Sequence, residues 1–358
     1  MIFRRRTRKS DASRLTQRLW DFTGTAMLNL FVFLFLVVYL SPLPFMVIAS
    51  LTPRDQFLDA RAPILPSERV KFNYEGKDLI VYKVPMEDGS RHLALYKPGR
   101  TSSQFIDPEK PSAGPIEWKG NWRTLRAVYQ FKPTLENYEN FLSIAKIPLY
   151  FKNTLIVAFI TEVGVLCSSI AVAYGFSRFR IPGIKYIFFL LIATIMIPSN
   201  ITLVPTYYLF SGHVLDWIGT WLPLIIPHFF GSAILIFLLR QNFKSIPRDL
   251  DEAAMLDGAG PLRILISVIL PQSIPVVTTV ALLHFFYIWN ETRLSSLYLG
   301  IAPNLQMVSF AVQRNQTYFF TPEALMVGAL MVMVVPVIVL FLSQRFFMRD
   351  MIVTQIEK

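Results

Sequence analysis

The sequence predicts an all-α polytopic membrane protein: six transmembrane helices, with a small β-rich extracytoplasmic insert between helices 1 and 2. Three observations carry that expectation. The 358 residues are 53% hydrophobic and only 16% charged, against about 25% charged in soluble domains. Apolar runs of spanning length, roughly 20 residues each, recur along the chain. The net charge of +11 is spread over segments that flank those runs, which fits orientation in a membrane better than phosphate binding.

The basic N-terminus, residues 1–24, carries Arg4, Arg5, Arg6, Arg8, Lys9, Arg14 and Arg18. It reads as a cytoplasmic anchor ahead of a span, and no nucleic acid is expected as a partner. The first span, residues 25–51, has an apolar run from Met27 to Leu51. That exceeds the roughly 7–15 apolar residues of a cleaved signal peptide and lacks a clear cleavage site, so an uncleaved span with its N-terminus inside is expected.

Residues 52–134 contain no spanning run and mix both charge signs. Asp78–Pro85 and Arg91–Lys97 have strand character, with Leu79 and Val81, then Leu93 and Leu95, alternating. Glu87, Asp88, Gly89 and Ser90 supply turn chemistry between them. Trp118, Trp122 and Tyr129 are candidates to close a small core, and Lys110–Pro115 reads as a flexible loop. An insert of about 80 residues is near the lower limit for folding alone.

The membrane core, residues 135–344, holds apolar runs at Asn153–Phe176, Ile184–Phe210, Trp221–Leu239, Pro271–Trp289 and Leu325–Ser343. Arg178, Arg180 and Lys185 lie between the second and third spans. Arg240, Lys244, Arg248 and Arg263 lie between the fourth and fifth, and Arg345, Arg349 and Lys358 in the tail, residues 345–358. The loop between spans three and four has Asp216 and neither Lys nor Arg. Both termini are therefore expected in the cytoplasm, with the lipid bilayer as the surrounding partner. Pro198, Pro205, Pro223, Pro227, Pro271, Pro275 and Pro336 fall within spans, where they serve either as packing kinks or as bends in helices that line a path.

Several chemistries are missing. There is no phosphate-cradling GxxxxGK[ST] loop. Gly258-Ala259-Gly260 lacks the third glycine of a dinucleotide site, since Arg263 stands there. His92, His213, His228 and His284 are scattered without metal spacing. The single cysteine, Cys167, permits no disulfide within the chain. No cofactor, metal or catalytic group is expected. Glu162 lies about nine residues into the second span, close to the bilayer middle at about 1.5 Å per residue. A charge there costs about 2.5 kcal/mol or more unless paired or hydrated. Structural satisfaction, path lining and proton relay all remain open for it, and only His228 and His284 lie at comparable depth.

The stretch Ser245–Pro271 is polar and helix-prone, yet sits between two apolar runs. Pro247 suits a first helical position, and Asp249, Asp251 and Glu252 fill a first turn where the helix dipole favours anions. Leu250, Ala253, Ala254 and Leu256 give a small apolar face. Gly258 can take the left-handed conformation that ends a helix, Ala259-Gly260 makes the turn, and Pro261 can begin a second helix. That helix runs amphipathically through Leu262, Leu265, Ile266 and Ile269. From the residues alone, a helix offered to a partner and an ordinary cytoplasmic loop fit equally well.

Glu252-Ala253-Ala254, three residues, Gly258, nine residues, Val268, one residue and Leu270-Pro271 resembles the EAA motif of binding-protein-dependent ABC importer permeases. The one departure is Val268 in place of the usual Ile. Asp257-Gly258-Ala259 matches the common form of its glycine turn. Thr134–Tyr138, Asn153-Thr154, Tyr174–Gly183, Leu239–Phe243, Trp289-Asn290 and Gln344-Arg345 are similar to the sugar-importer subfamily that includes the maltose permease subunit MalG.

That resemblance implies the type I importer fold and the cytoplasmic (inner) membrane of a bacterium or archaeon. It implies a carbohydrate as solute and no enzyme activity in this chain. It also implies partners: a second permease subunit forming a heterodimer, two ABC ATPase subunits that hydrolyse ATP, and an extracytoplasmic solute-binding protein. Residues 245–260 become the coupling helix, with Glu252, Ala253, Ala254, Asp257 and Gly258 as its ATPase-coupling residues. Leu294–Thr321 is expected to face the binding protein. Glu162, His284, Trp289 and Asn290 are candidates for the translocation path. Two departures stand out: the tail lacks the glycines usual there, and the insert at 52–134 is larger than the family norm. The competing classes are a proton-coupled secondary transporter with Glu162 as relay, a membrane sensor with the insert as receptor, and an importer permease for a non-sugar solute.

Overall fold

The computed structural model describes residues 11–86, 89–144, 146–318 and 321–356. Arg4, Arg5, Arg6, Arg8 and Lys9, the turn residues Glu87 and Asp88, and Lys358 lie outside the described residues. The chain divides into two compact units, Met1–Leu135 and Glu136–Lys358.

The first unit begins with helices α1 (Asp11–Leu40) and α2 (Pro42–Ser50), followed by the short α3 (Arg54–Phe57). Strands follow at Ser67–Arg69 (β1), Lys71–Tyr74 (β2), Lys77–Met86 (β3), Gly89–Lys97 (β4), Ser102–Ile106 (β5), Ile116–Lys119 (β6), Arg126–Ala127 (β7) and Tyr129–Phe131 (β8). β2 to β6 form an antiparallel meander, β7 pairs with β3, and β1 pairs separately with β8. The hairpin register sets Met86 opposite Gly89 and Val81 opposite Ala94.

Period-two alternation gives this sheet two apolar faces. Leu79, Val81, Ala94 and Ile106 are buried on one. Tyr82, Val84, Leu93 and Phe105 are buried on the other, under Trp118 and Trp122. Tyr129 joins neither cluster; its hydroxyl donates to Asp59 Oδ2 at 2.7 Å. Gln56, buried, ties the base together: its Nε2 donates to the Pro63 and Leu65 carbonyls, and its Oε1 accepts from the Ser67 amide.

The second unit is helical. Its helices are α4 (Glu136–Ile144), α5 (Ile147–Arg178), α6 (Ile184–Ile195), α7 (Ser199–Phe210), α8 (Leu222–Ile225), α9 (Ala233–Ser245), α10 (Arg248–Leu256), α11 (Pro261–Ile264), α12 (Leu270–Gln272), α13 (Ile274–Trp289), α14 (Arg293–Leu299), α15 (Val308–Tyr318) and α16 (Pro322–Ile356). A π-helical turn, Leu265–Ile269, joins α11 to α12.

Among the described residues, four helical stretches are long and apolar enough to cross a membrane: Phe22–Ser50, Ile147–Arg178, Leu222–Ser245 and Pro322–Phe346. The runs expected as continuous spans at Ile184–Phe210 and Pro271–Trp289 are instead bent pairs. α6 and α7 meet at 94°, and Pro261–Gln272 meets α13 at 84°. Proline explains both breaks, since Pro198 precedes α7 and Pro271 and Pro275 bracket Ser273, each removing a backbone donor.

Helix α5 is the spine of this unit. Val165, Ala173 and Tyr174 belong to a core shared with α9, the π turn and α13. Val157 and Ala158 join a second core with Phe210, Leu224 and Tyr298. Ile147 joins a third with Trp289 and Val327. At Gly164 an added Cβ would stand 2.7 Å from the Phe229 ring, so the glycine allows that ring to lie on the α5 backbone.

Asp59 generates a prediction for the first unit. Its carboxylate accepts from the Arg61 amide and the Tyr129 hydroxyl, and these bonds, with the charges of Arg69 and Arg61, hold its pKa below the ordinary aspartate value despite opposing desolvation. A depressed folded-state pKa contributes stability above the unfolded value, about 3.9, that is lost as pH falls through the folded one. Amide protection factors of Val70 and Val128 in the whole protein are expected to fall in that acid window, and Asp59→Asn to flatten the fall.

Candidate functional site

The polar stretch between α9 and α13 is built as a capped helix on a buried clamp. Pro247 is extended (ψ 138°), and the helix starts at Arg248, one residue later than expected, with Asp249 and Asp251 in its first turn. At its C-terminus the Gly258 amide donates to the Met255 carbonyl at 3.0 Å, and the Ala259 amide donates to Ala254 at 2.9 Å. This paired arrangement is a Schellman turn, which needs a left-handed residue, and Gly258 supplies φ +79°. An added Cβ there meets nothing within 4 Å. Gly258 is thus demanded by the turn, and the space beside it is open.

The apolar residues of this stretch divide. Ala254 and Ala259 pack on the neighbouring core, while Leu250, Met255, Leu256 (90% exposed) and Leu262 (68%) face outward. Glu252, Ala253, Asp257 and Gly258 are also exposed. The result is an apolar tip rimmed by two carboxylates. In the following segment Ile264, Leu265 and Ile269 are buried. Ile266, expected on the same face as Leu265, is exposed, because the π turn closes on i+5 and shifts the helical register.

What holds the tip in place was not legible as a site. Arg178, at the end of α5, sets its Nε 2.9 Å from Asp251 Oδ2, with the side chains 6% and 9% exposed. Both Arg178 Nη atoms donate to the Ile246 carbonyl at 3.2 Å. Arg248 donates to the Ser177 carbonyl, and the Tyr174 hydroxyl to that of Pro261 at 3.0 Å. In sequence Arg178 is an orienting charge within the Tyr174–Gly183 resemblance, and Asp251 a first-turn anion. Nothing in their spacing, 73 positions apart, announces that they meet.

A second polar constellation lies at mid-depth. His284 on α13 places Nδ1 2.8 Å from Glu162 Oε2 on α5 and Nε2 3.0 Å from His228 Nδ1. His284 is 4% exposed and Glu162 20%. The three residues expected at comparable depth are thus brought into one hydrogen-bonded row, with the ring of Tyr287 6.2 Å from that of His228. Among the described residues no group of three or more His, Cys, Asp or Glu could hold a metal ion.

Trp289 and Asn290 stand apart from this row. Trp289 is fully buried, stacked on Phe285, and donates to the Val332 carbonyl at 2.9 Å. Asn290 is exposed and its amide donates back to the Phe286 carbonyl of its own helix. At the opposite end of α5 from Arg178, Asn153 donates to the Asn304 and Gln306 carbonyls and Thr154 accepts from the Val308 amide. These bonds fix the start of α15, inside the loop expected to face a binding protein.

Similarity to known proteins agrees with this geometry. A probable ABC transporter permease protein of Pyrococcus horikoshii is 33% identical over 236 residues, 64% of this chain and 84% of the relative. The alpha-glucoside transport system permease protein AglG of Rhizobium meliloti is 27% identical over 74% of this chain and 73% of its own. Among solved structures, a chain of a bacterial ABC transporter involved in import of the acidic polysaccharide alginate superposes with a TM-score of 0.61 over 97% of this chain and all of that one, at 18% identity. That likeness shows the fold. Residues 152–353, more than half of the chain, match the family described as binding-protein-dependent transport system inner membrane component. The protein is an integral membrane protein belonging to that family of ABC importer permease subunits.

Proposed function

We propose that this chain is one of two permease subunits in an ATP-driven importer of a carbohydrate. It works in the cytoplasmic membrane with six spans, each bent pair counting as one, and with both termini in the cytoplasm. Two ATPase subunits bind from the cytoplasmic side, and an extracytoplasmic binding protein delivers the solute. The single observation that carries this reading is the outward-facing apolar tip on α10, clamped to the end of α5 by a buried ion pair. A helix that rides loosely transmits no displacement; one welded to a spanning helix does. Glu252, Ala253, Asp257 and Gly258 form the docking surface, and Ala254 packs it on the core. Hydrolysis moves α10, α10 moves α5, and the row Glu162–His284–His228 lies on the helices that rearrange. A carbohydrate is supported by the names of relatives, which mention alpha-glucoside and alginate.

Two outcomes test this. Gly258→Asp is expected to abolish ATP-driven uptake and co-purification of the ATPase in mild detergent, while membrane insertion is retained, since a Cβ at that position meets no atom of this chain. Normal uptake in that variant would sink the docking role. Removing one partner of a buried ion pair costs about 3–5 kcal/mol, whereas replacing both with apolar groups is often neutral. Arg178→Met and Asp251→Leu are therefore each expected to lower uptake per ATP hydrolysed, and the double variant to recover part of the folded yield of either.

A further inference from the structure

The row Glu162–His284–His228 is unexplained by ATP-driven docking. It joins three different stretches, Ile147–Arg178, Leu222–Ser245 and Ile274–Trp289, through side-chain contacts of 2.8 and 3.0 Å. His228 sits in the short 3₁₀ turn, Ile226–Phe230, that breaks its span between α8 and α9. The Ser168 hydroxyl is 3.5 Å from the His228 carbonyl, and the Ser232 amide donates to Ser169 Oγ, so that turn is held against α5 by weak bonds besides the histidine.

Proton bookkeeping fixes what the row can do. With no added proton, His284 Nδ1–H donates to the Glu162 carboxylate and His284 Nε2 accepts from His228 Nδ1–H. With one proton taken from water, the row becomes a carboxylate paired to one shared imidazolium, net neutral, and both hydrogen bonds persist. Neutrality is what a low-dielectric interior favours. A second proton puts N–H groups on both facing ring nitrogens, so the hydrogen bond between the histidines is replaced by repulsion of like charges.

We propose that Glu162, His284 and His228 form an intramembrane proton-binding latch, which clasps the three helices while it holds at most one proton and lets go of the 226–230 turn on taking a second. The groups that face it are few. Tyr287 is the titratable neighbour on α13, with Glu291 and Arg293 acting on it. The charged groups of the other packed elements are engaged elsewhere: Arg178 with Asp251, Arg240 over the Phe188 ring at 3.7 Å, and Glu323 buried at the start of α16. Glu162 Oε1 is buried and without a hydrogen-bond partner among the described residues, so the row's charge balance rests on His284 and His228.

The test uses the full chain in lipid nanodiscs and needs no transport partner, so its failure is distinct from failure of the importer reading. The chain has four histidines, few enough for imidazole nitrogen resonances to be assigned singly. The coupling across the hydrogen bond between His228 and His284 is expected to vanish in a single acid step, when the second proton binds. Spin labels at Phe230 and Leu283, both exposed, in a Cys167→Ser background should separate in that step. His228→Asn keeps an acceptor at the Nδ1 position without titrating; it should hold the neutral-pH distance and abolish the step. Glu162→Gln removes the anion and should move the step to lower pH. Independent titration of the two histidines, an unchanged label distance, or the same step in His228→Asn would each overturn the latch.

Discussion

The second unit is organised around one continuous helix whose polar side chains bond to segments far away in the chain. α5 runs 32 residues without a break, while two of its neighbouring spans are bent at proline. Its apolar residues reach three separate cores. Five of its polar residues reach other segments: Asn153 and Thr154 the 304–308 loop, Glu162 His284, Ser169 the Ser232 amide, and Arg178 Asp251. A polar group left unmatched in a bilayer costs several kcal/mol. The same groups that would be liabilities on an isolated helix therefore decide which segments dock on it and where.

The arrangement has a mechanical logic. One end of α5 is tied to the loop ahead of α15, and the other to the tip on α10. A rigid rod with bonded ends passes displacement along its length, because packed interiors are close to incompressible. The bent pairs, by contrast, are where the chain can fold and unfold its angles. An unbroken α5 is thus followed by jointed elements: α6–α7 bent, 222–245 interrupted at the 226–230 turn, the next pair bent again.

Much of this was legible before any coordinates. Apolar run lengths located the four long apolar helical stretches and the two bent pairs, and alternation at Leu79, Val81, Leu93 and Leu95 located the hairpin. Gly258 was legible as a left-handed helix end, and the spacing Glu252, Gly258, Leu270-Pro271 marked the stretch through its resemblance to the EAA motif. Three things were hidden. The π turn at 265–269 has no compositional mark, so the outward face of Ile266 was not foreseen. Whether a proline inside an apolar run kinks a helix gently or breaks it near a right angle depends on tertiary contacts. And the meeting of Arg178 with Asp251 is a long-range coincidence that local pattern cannot encode, whereas shared depth already singled out Glu162, His228 and His284. Trp289, a candidate for the path, is fully buried and stacks on Phe285.

The outward-facing leucines on the α10 tip carry a final consequence. Leu256 and Leu262 are large, apolar and almost bare, and a folded chain gains nothing by displaying them to water. If the proposed ATPase covers this tip, a copy in excess of it presents an adhesive apolar knob, the type of surface that chaperones and proteases seize. Under the docking proposed above, the abundance of this chain would be tied to the supply of its cover, and stoichiometry would be policed by the same side chains that make the contact.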